Sequence, residues 1–222
     1  MAEQRESRRG GLTRALVVTT ALRLLDEVGL DGLTVRRLAA ELGVQSPALY
    51  WHIRTKQELL DEMADSIVLS AGMGPPRAGE SWQQWLIRRA RAYRGALLAH
   101  RDGARLVAHA GTLGDATIKL FDEELTALVR HGFTPGLALR TITTVGQYTT
   151  GFVQQEQAER GRPPEPPAER MATLTGLLDG GPDATVFTAL REAGSPLGEE
   201  AFEHGLRVIV TGTAAALHPS GR

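Results

Sequence analysis

Apolar residues at three- and four-residue spacing, cut by single glycines, set the strongest limit on how this chain folds. From Thr13 to Val28, the residues Leu16, Val17, Ala21, Leu24, Leu25 and Val28 recur on one helical face, and Gly29 supplies a stop. The stretch LDGLT is a short turn. Thr34 can cap a second helix carrying Leu38, Ala39 and Leu42, and Gly43 can take the left-handed conformation that ends it. After Val44 and Gln45, Ser46 caps a third helix that ends near His52, with Pro47 in its first turn. Helix, tight glycine turn, helix is the order of a helix-turn-helix, and Ala39 is small enough for the two axes to cross closely. Many all-helical proteins contain such a glycine-broken pair, so the order alone leaves a purely structural use open.

The third helix narrows the choice. Tyr50, Trp51 and His52 stand together in a chain that is only 5% aromatic. Three consecutive large residues on a helix point in different directions, so they cannot all serve one core. In a recognition helix whose N-terminal end enters the major groove, Gln45, Ser46 and Ala48 face base edges and Leu49 faces the core. Tyr50, Trp51 and His52 then lie around the remaining circumference, where hydroxyl, indole N–H and imidazole can donate to phosphate. Arg36, Arg37 and Lys56 are the matching cations. The bland alternative, that Tyr50 and Trp51 seal a small domain, is expected to hold in part for at least one of them.

Charge divides the chain in the same place. Residues 1 to 56 hold nine Arg or Lys against six Asp or Glu, which leaves 16 against 20 for residues 57 to 222. We expect a DNA-binding domain over 1–56, with a flexible N-terminus over 1–11, and a larger helical domain over 57–222. The latter reads as a helix from Thr55 to about Ser70, a break at AGMGPPRAG, and a long helix over ESWQQWLIRRARAYRGALLAH. Further helices are expected around 102–109, 115–131 and 134–157. The Pro-rich GRPPEPPAER reads as a mobile loop, and Ser195-Pro196 as the opening of a final helix. Ala201, Gly205, Val208, Gly212 and Ala216 form a small-residue stripe on that helix, and Gly146 with Thr150 a similar surface on the 134–157 helix. Such surfaces suit close helix packing, within one chain or between two. There is no cysteine, so disulfides and thiolate chemistry are excluded. No apolar run approaches membrane-spanning length and no signal-peptide pattern leads the chain, so a cytoplasmic protein is expected.

The stretch LTVRRLAAELGVQSPALYWHIRTKQELLDEMA resembles the DNA-binding domain of the TetR family of bacterial repressors. GESWQQWLIRRARAYRGALLAHRDGAR, HAGT, HGFTPGLALRTITTVGQYTTGFVQQEQ and AFEHGLRVIVTG resemble the ligand-binding and dimerisation core of the tetracycline repressor subclass. The likeness covers nearly the whole chain and is weakest from about Arg160 to Gly194. It implies an all-α homodimer that binds double-stranded operator DNA and is released by a small-molecule inducer. Carried over by position, it implies base contacts at Arg36, Ser46, Pro47, Ala48 and Tyr50, and phosphate contacts near Thr34, Trp51, His52 and Lys56. It also implies that the final helix and the 134–157 helix form a four-helix dimer interface.

The resemblance further implies a pocket. In that subclass a histidine binds magnesium directly, and His109 matches it once two residues are inserted before it. Gln147 stands where the subclass has another histidine, Gln155 replaces a metal-binding carboxylate, and Arg89 replaces a drug-contacting asparagine. A hard cation needs oxygen ligands and negative charge, so these exchanges argue against a magnesium site. We expect no metal or other cofactor, and an anionic or polar aromatic ligand, a natural product or antibiotic, beside Arg89, Tyr93, His109, Thr112 and Gln147. The competing class is a helical enzyme or ligand-sequestering protein without operator binding. Against an enzyme, HRDGAR at 100–105 superficially matches a kinase catalytic loop, but Val107 occupies the place of the metal-binding asparagine and no glycine-rich loop or Asp-Phe-Gly accompanies it. His100, Arg101 and Asp102 read instead as residues that cap and fix a turn. His131, His204 and His218 lack ligand spacing.

Overall fold

The structure, a computed structural model, describes residues 11–161, 175–177 and 184–217. The helices are α1 (Arg14–Gly32), α2 (Val35–Leu42), α3 (Ser46–Leu49), α4 (Lys56–Ser70), α5 (Trp82–Leu98), α6 (Gly103–Ala108), α7 (Asp115–Arg130), α8 (Pro135–Arg160), α9 (Thr185–Ala193) and α10 (Glu199–Leu217). No strand occurs among the described residues, and none of their helices is long and apolar enough to cross a membrane. Thr13, Thr34, Thr55, Ser81 and Thr134 each precede a helix and accept an N–H from its first turn, which satisfies donors the helix itself cannot.

Two buried clusters organise these helices. One gathers Val17, Leu25, Leu38, Leu49 and Ile53 of the small N-terminal unit, continues along α4 through Leu59, Met63 and Ile67, and ends on Leu97, Leu106 and Val153. The other joins Trp85, Leu86, Leu128, Phe133, Ile142, Phe202 and Leu206, so that α10 lies against α5 and α8. Arg91 makes a bidentate pair with Glu203 at 2.6 and 2.8 Å, and Arg94 binds Glu156 while lying 5.0 Å over the Phe202 ring. The boundary expected at residue 57 thus falls just inside one continuous helix, α4, whose apolar face belongs to both units.

Several elements differ from the sequence reading. Gly29 does leave helical geometry (φ 72, ψ 172), but one further turn carries α1 to Gly32. Gln45, not Ser46, holds the position before α3, without a side-chain cap, and α3 ends at Leu49 and not near His52, so Tyr50, Trp51 and His52 stand in the turn that follows it. Ser195-Pro196 starts a turn closed by the Gly198 N–H donating to the Ser195 carbonyl, and α10 begins only at Glu199. Helix α9 was not anticipated. Residues 1–10 of the expected flexible N-terminus, residues 162–170 of the Pro-rich segment and His218 lie outside the described residues.

The largest departure is at 100–102. Asp102 precedes α6 at φ 57 and makes no side-chain cap. Its carboxylate accepts the Leu30 N–H at 2.8 Å instead, while Asp26 accepts the Arg101 N–H at 2.9 Å and faces His100 Nδ1. Arg101 reaches the Glu27 carbonyl, and Arg105 pairs with Asp31 through both terminal nitrogens. These residues clasp the C-terminal end of α1 onto the α5–α6 turn.

Candidate DNA-reading head and ligand cavity

The residues nominated for DNA lie between the N-terminal cap of α2 and the first residue of α4. Thr34 caps α2, Gly43 ends it in the left-handed region (φ 67), and the Val44 N–H returns to the Ala39 carbonyl, fixing the angle at which α3 leaves. Leu49 and Ile53 are buried, which pins α3 from below. Gln45 and Pro47 are exposed, and Ser46, Ala48 and His52 half-buried. Trp51 is 89% exposed and Tyr50 50%. Tyr50 also lines a small crevice with Val17, Leu38 and Leu59, so the sealing role belongs partly to Tyr50 and not to Trp51.

The carboxylates near this surface are occupied elsewhere. Arg23 holds Glu27 and Glu41, Arg14 holds Glu58 and Glu62, and the clasp takes Asp26 and Asp31. Arg105 beside Asp31 holds that carboxyl below its ordinary range. Arg36 and Lys56 are exposed and form no ion pair among the described residues. Lys56 adds a weaker, longer-range attraction to Asp31; exposed cations beside exposed aromatic and hydroxyl groups are what phosphate and base edges require.

A cavity of about 240 Å³ opens between α4, α5, α7 and α8. Val68 and Ala71 close its α4 side, and Phe121 and Ile142 add apolar wall. Arg89 and Tyr93, two of the residues expected beside a ligand, are among those that line it. Tyr93 shares a 3.0 Å hydrogen bond with Thr150, and burial pushes its phenol up. Arg89 Nε donates to Glu124 at 2.9 Å; the other Glu124 oxygen accepts the Gly74 N–H, and Trp85 Nε1 donates to the Gly74 carbonyl. Burial raises the Glu124 carboxyl despite the Arg89 charge beside it. Thr117, also on the wall, has a buried hydroxyl with no hydrogen-bond partner among the described residues.

Glu124 and Thr117 were missed from sequence. The usable signal was that Thr117, Phe121, Glu124 and Leu128 share one helical stripe of α7, which placed a carboxylate on the inward face.

The other nominated ligand residues lie outside this cavity. His109 is exposed, its Nδ1 faces the Arg105 carbonyl at 2.7 Å, and its own carbonyl accepts from Gln57. Thr112 donates to Asp61, in a 109–114 segment whose Gly111 and Gly114 N–H groups donate to Asp61 and Asp65. Gln147 is exposed on α8; its neighbours Ile142, Thr143 and Gly146 line the cavity instead.

The small-residue stripe of α10 divides in two. A Cβ on Gly205 would stand inside the Tyr148 phenol, which donates to the Phe202 carbonyl at 2.9 Å, so this end is a crossing within the chain. Val208, Gly212 and Ala216 are exposed, and a Cβ on Gly212 would meet nothing within 4 Å. Gly146 and Thr150 face inward, toward the cavity and Tyr93.

Residues 17–63 match the profile of the bacterial regulatory proteins of the tetR family, and residues 75–217 that of the tetracyclin repressor-like C-terminal domain. The chain is 44% identical over 206 residues to the tetracycline repressor protein class A from transposon 1721 of Escherichia coli, covering 89% of this chain and 88% of that one. Among solved structures, a class A TetR in complex with 5a,6-anhydrotetracycline and magnesium aligns at 38% identity and a TM-score of 0.66, over 91% of this chain and 98% of that one. ActR of Streptomyces coelicolor in complex with (S)-DNPA aligns at 26% identity and a TM-score of 0.78, over 94% of this chain and all (100%) of that one.

Proposed function

The chain belongs to the TetR family of bacterial regulatory proteins, and we propose that it represses transcription as a homodimer released from a two-fold symmetric operator by a small molecule. That molecule is a polar aromatic natural product or antibiotic held in the α4–α5–α7–α8 cavity. One observation carries the reading. Helix α4 begins at Lys56 in the reading head and ends where Val68 and Ala71 close the cavity, so a ligand that moves the wall moves the head. Two heads held one groove repeat apart bind both half-sites, and heads displaced from that spacing bind one. The exposed Val208–Gly212–Ala216 face of α10 supports dimerisation, because small residues let a second copy's helices approach closely.

The magnesium of the anhydrotetracycline complex does not fit here. His109 is not among the residues that line the cavity, Glu124 is held by Arg89 and the Gly74 N–H, and no cluster of His, Asp and Glu suited to a metal occurs among the described residues.

The test is a gel shift on the DNA upstream of the protein's own gene. A retarded band that disappears on adding an aromatic natural product is the expected result. No retardation at any protein concentration, with the dimer intact in sedimentation, overturns the reading and favours a ligand-sequestering protein.

A further inference from the structure

We infer that the cavity takes an uncharged, metal-free aromatic compound whose carbonyl or hydroxyl oxygen completes the missing hydrogen bond of Thr117. The inference rests on the proposed function for one point only, that the cavity is a ligand site. Thr117 is 1% exposed and its Oγ1, shut off from solvent, has no partner among the described residues, whereas the neighbouring polar groups are satisfied: Tyr93 by Thr150, Thr143 by the Leu139 carbonyl, Glu124 by Arg89 and Gly74. A buried hydroxyl without a partner is a standing penalty, and a ligand that supplies the partner removes it.

Charge sets the rest of the class. Arg89 invites an anion when read from sequence alone, but its charge is matched by Glu124 at 2.9 Å. A ligand carboxylate would have to displace Glu124 or lie beside it, leaving one acid desolvated without a partner. A ligand cation finds no spare carboxylate on this wall. Arg89 holds Glu124 through Nε, so its terminal N–H groups suit a ring carbonyl, which accepts a hydrogen bond and brings no charge. At about 240 Å³ the cavity is below the ~300–1,000 Å³ usual for drug-sized ligands, so about three fused rings fill it.

The experiment uses a matched pair of probes, 1,8-dihydroxyanthraquinone and its carboxylated analogue 4,5-dihydroxyanthraquinone-2-carboxylic acid, titrated calorimetrically into the full-length protein in magnesium-containing buffer with and without a chelator. The neutral probe is expected to bind about tenfold or more tightly than the acid. Thr117→Val, nearly isosteric, is expected to weaken the neutral probe about 3- to 10-fold, and Thr117→Ser to retain its affinity. Glu124→Gln, which frees the Arg89 charge, is expected to reverse the preference toward the acid; a packing role for Glu124 would weaken both probes alike. Equal or tighter binding of the acid by the wild-type protein, indifference to Thr117→Val, loss of binding with the chelator, or binding of neither probe overturns the inference. Operator retardation is measured on the same preparations. Retardation without the neutral preference sinks this inference alone, and the neutral preference without retardation sinks the repressor reading alone.

Discussion

Arg36 is exposed on the proposed reading head with no carboxylate partner among the described residues, whereas Arg89 at the cavity wall is locked to the fully buried Glu124. The same side chain is left open in one region and satisfied in the other, and solvent accounts for the difference. An exposed guanidinium is hydrated while it waits for phosphate, so leaving it unpaired costs little. A buried one must carry its counter-charge with it, and the acid that matches it also fixes which ligands the wall accepts. Helix α10 repeats the contrast in apolar form, with Gly205 filled by Tyr148 and Gly212 open to solvent.

The contrast breaks most visibly if the buried partner is removed. Glu124→Ala leaves the Arg89 charge without compensation and is expected to lower unfolding free energy by about 3–5 kcal/mol, read from urea denaturation at fixed protein concentration. A loss below about 1 kcal/mol would mean that the pair is not the electrostatic anchor of the wall. Gly212→Leu, with open space around it in the single chain, is expected to leave the fold intact and weaken the dimer by about 1–3 kcal/mol at each of the two symmetric contacts, seen by sedimentation. An unchanged dimer places the interface elsewhere. Arg36→Ala is expected to change stability by no more than about 0.5 kcal/mol while operator affinity falls by about 1–3 kcal/mol with relaxed base preference. Were Arg36→Ala to unfold the protein instead, the open side of the comparison would be wrong. The smallest expected effect is that of Lys56→Ala, which weakens all DNA sequences alike and lowers the salt-dependence slope by about one unit.

What could be read from the sequence, and what could not, follows the range of the interactions. The Thr34 cap, the left-handed Gly43 and the inward Leu49 depend on neighbours within a few residues, so local spacing revealed them. The fold class followed from these periodicities. The cavity wall depends on Arg89 meeting Glu124 across 35 positions and on Gly74 meeting both Trp85 and Glu124, which no local pattern encodes. Arg89 therefore looked like a free cation, and His109, Thr112 and Gln147 were nominated by alignment though their side chains lie outside the cavity. The clasp was misread for the same reason: His100, Arg101 and Asp102 stand beside a turn in sequence, but their partners are Asp26, Glu27 and Leu30 on α1.

That clasp limits how the head can travel. The head is joined to the body at two separated places, through the axis of α4 and through the α1 end held by the α5–α6 turn. A rigid body fixed at two points keeps a single rotation, about the line between them. On the proposed mechanism, displacement of the cavity end of α4 would reach the reading surface as a swing about that line. With 15 residues at about 1.5 Å each, α4 is a lever roughly 22 Å long, so a tilt of a few degrees carries Trp51 by an ångström or more. In the proposed dimer, two such levers related by its two-fold rotation axis would turn a small change in the wall into a change of span between the half-sites.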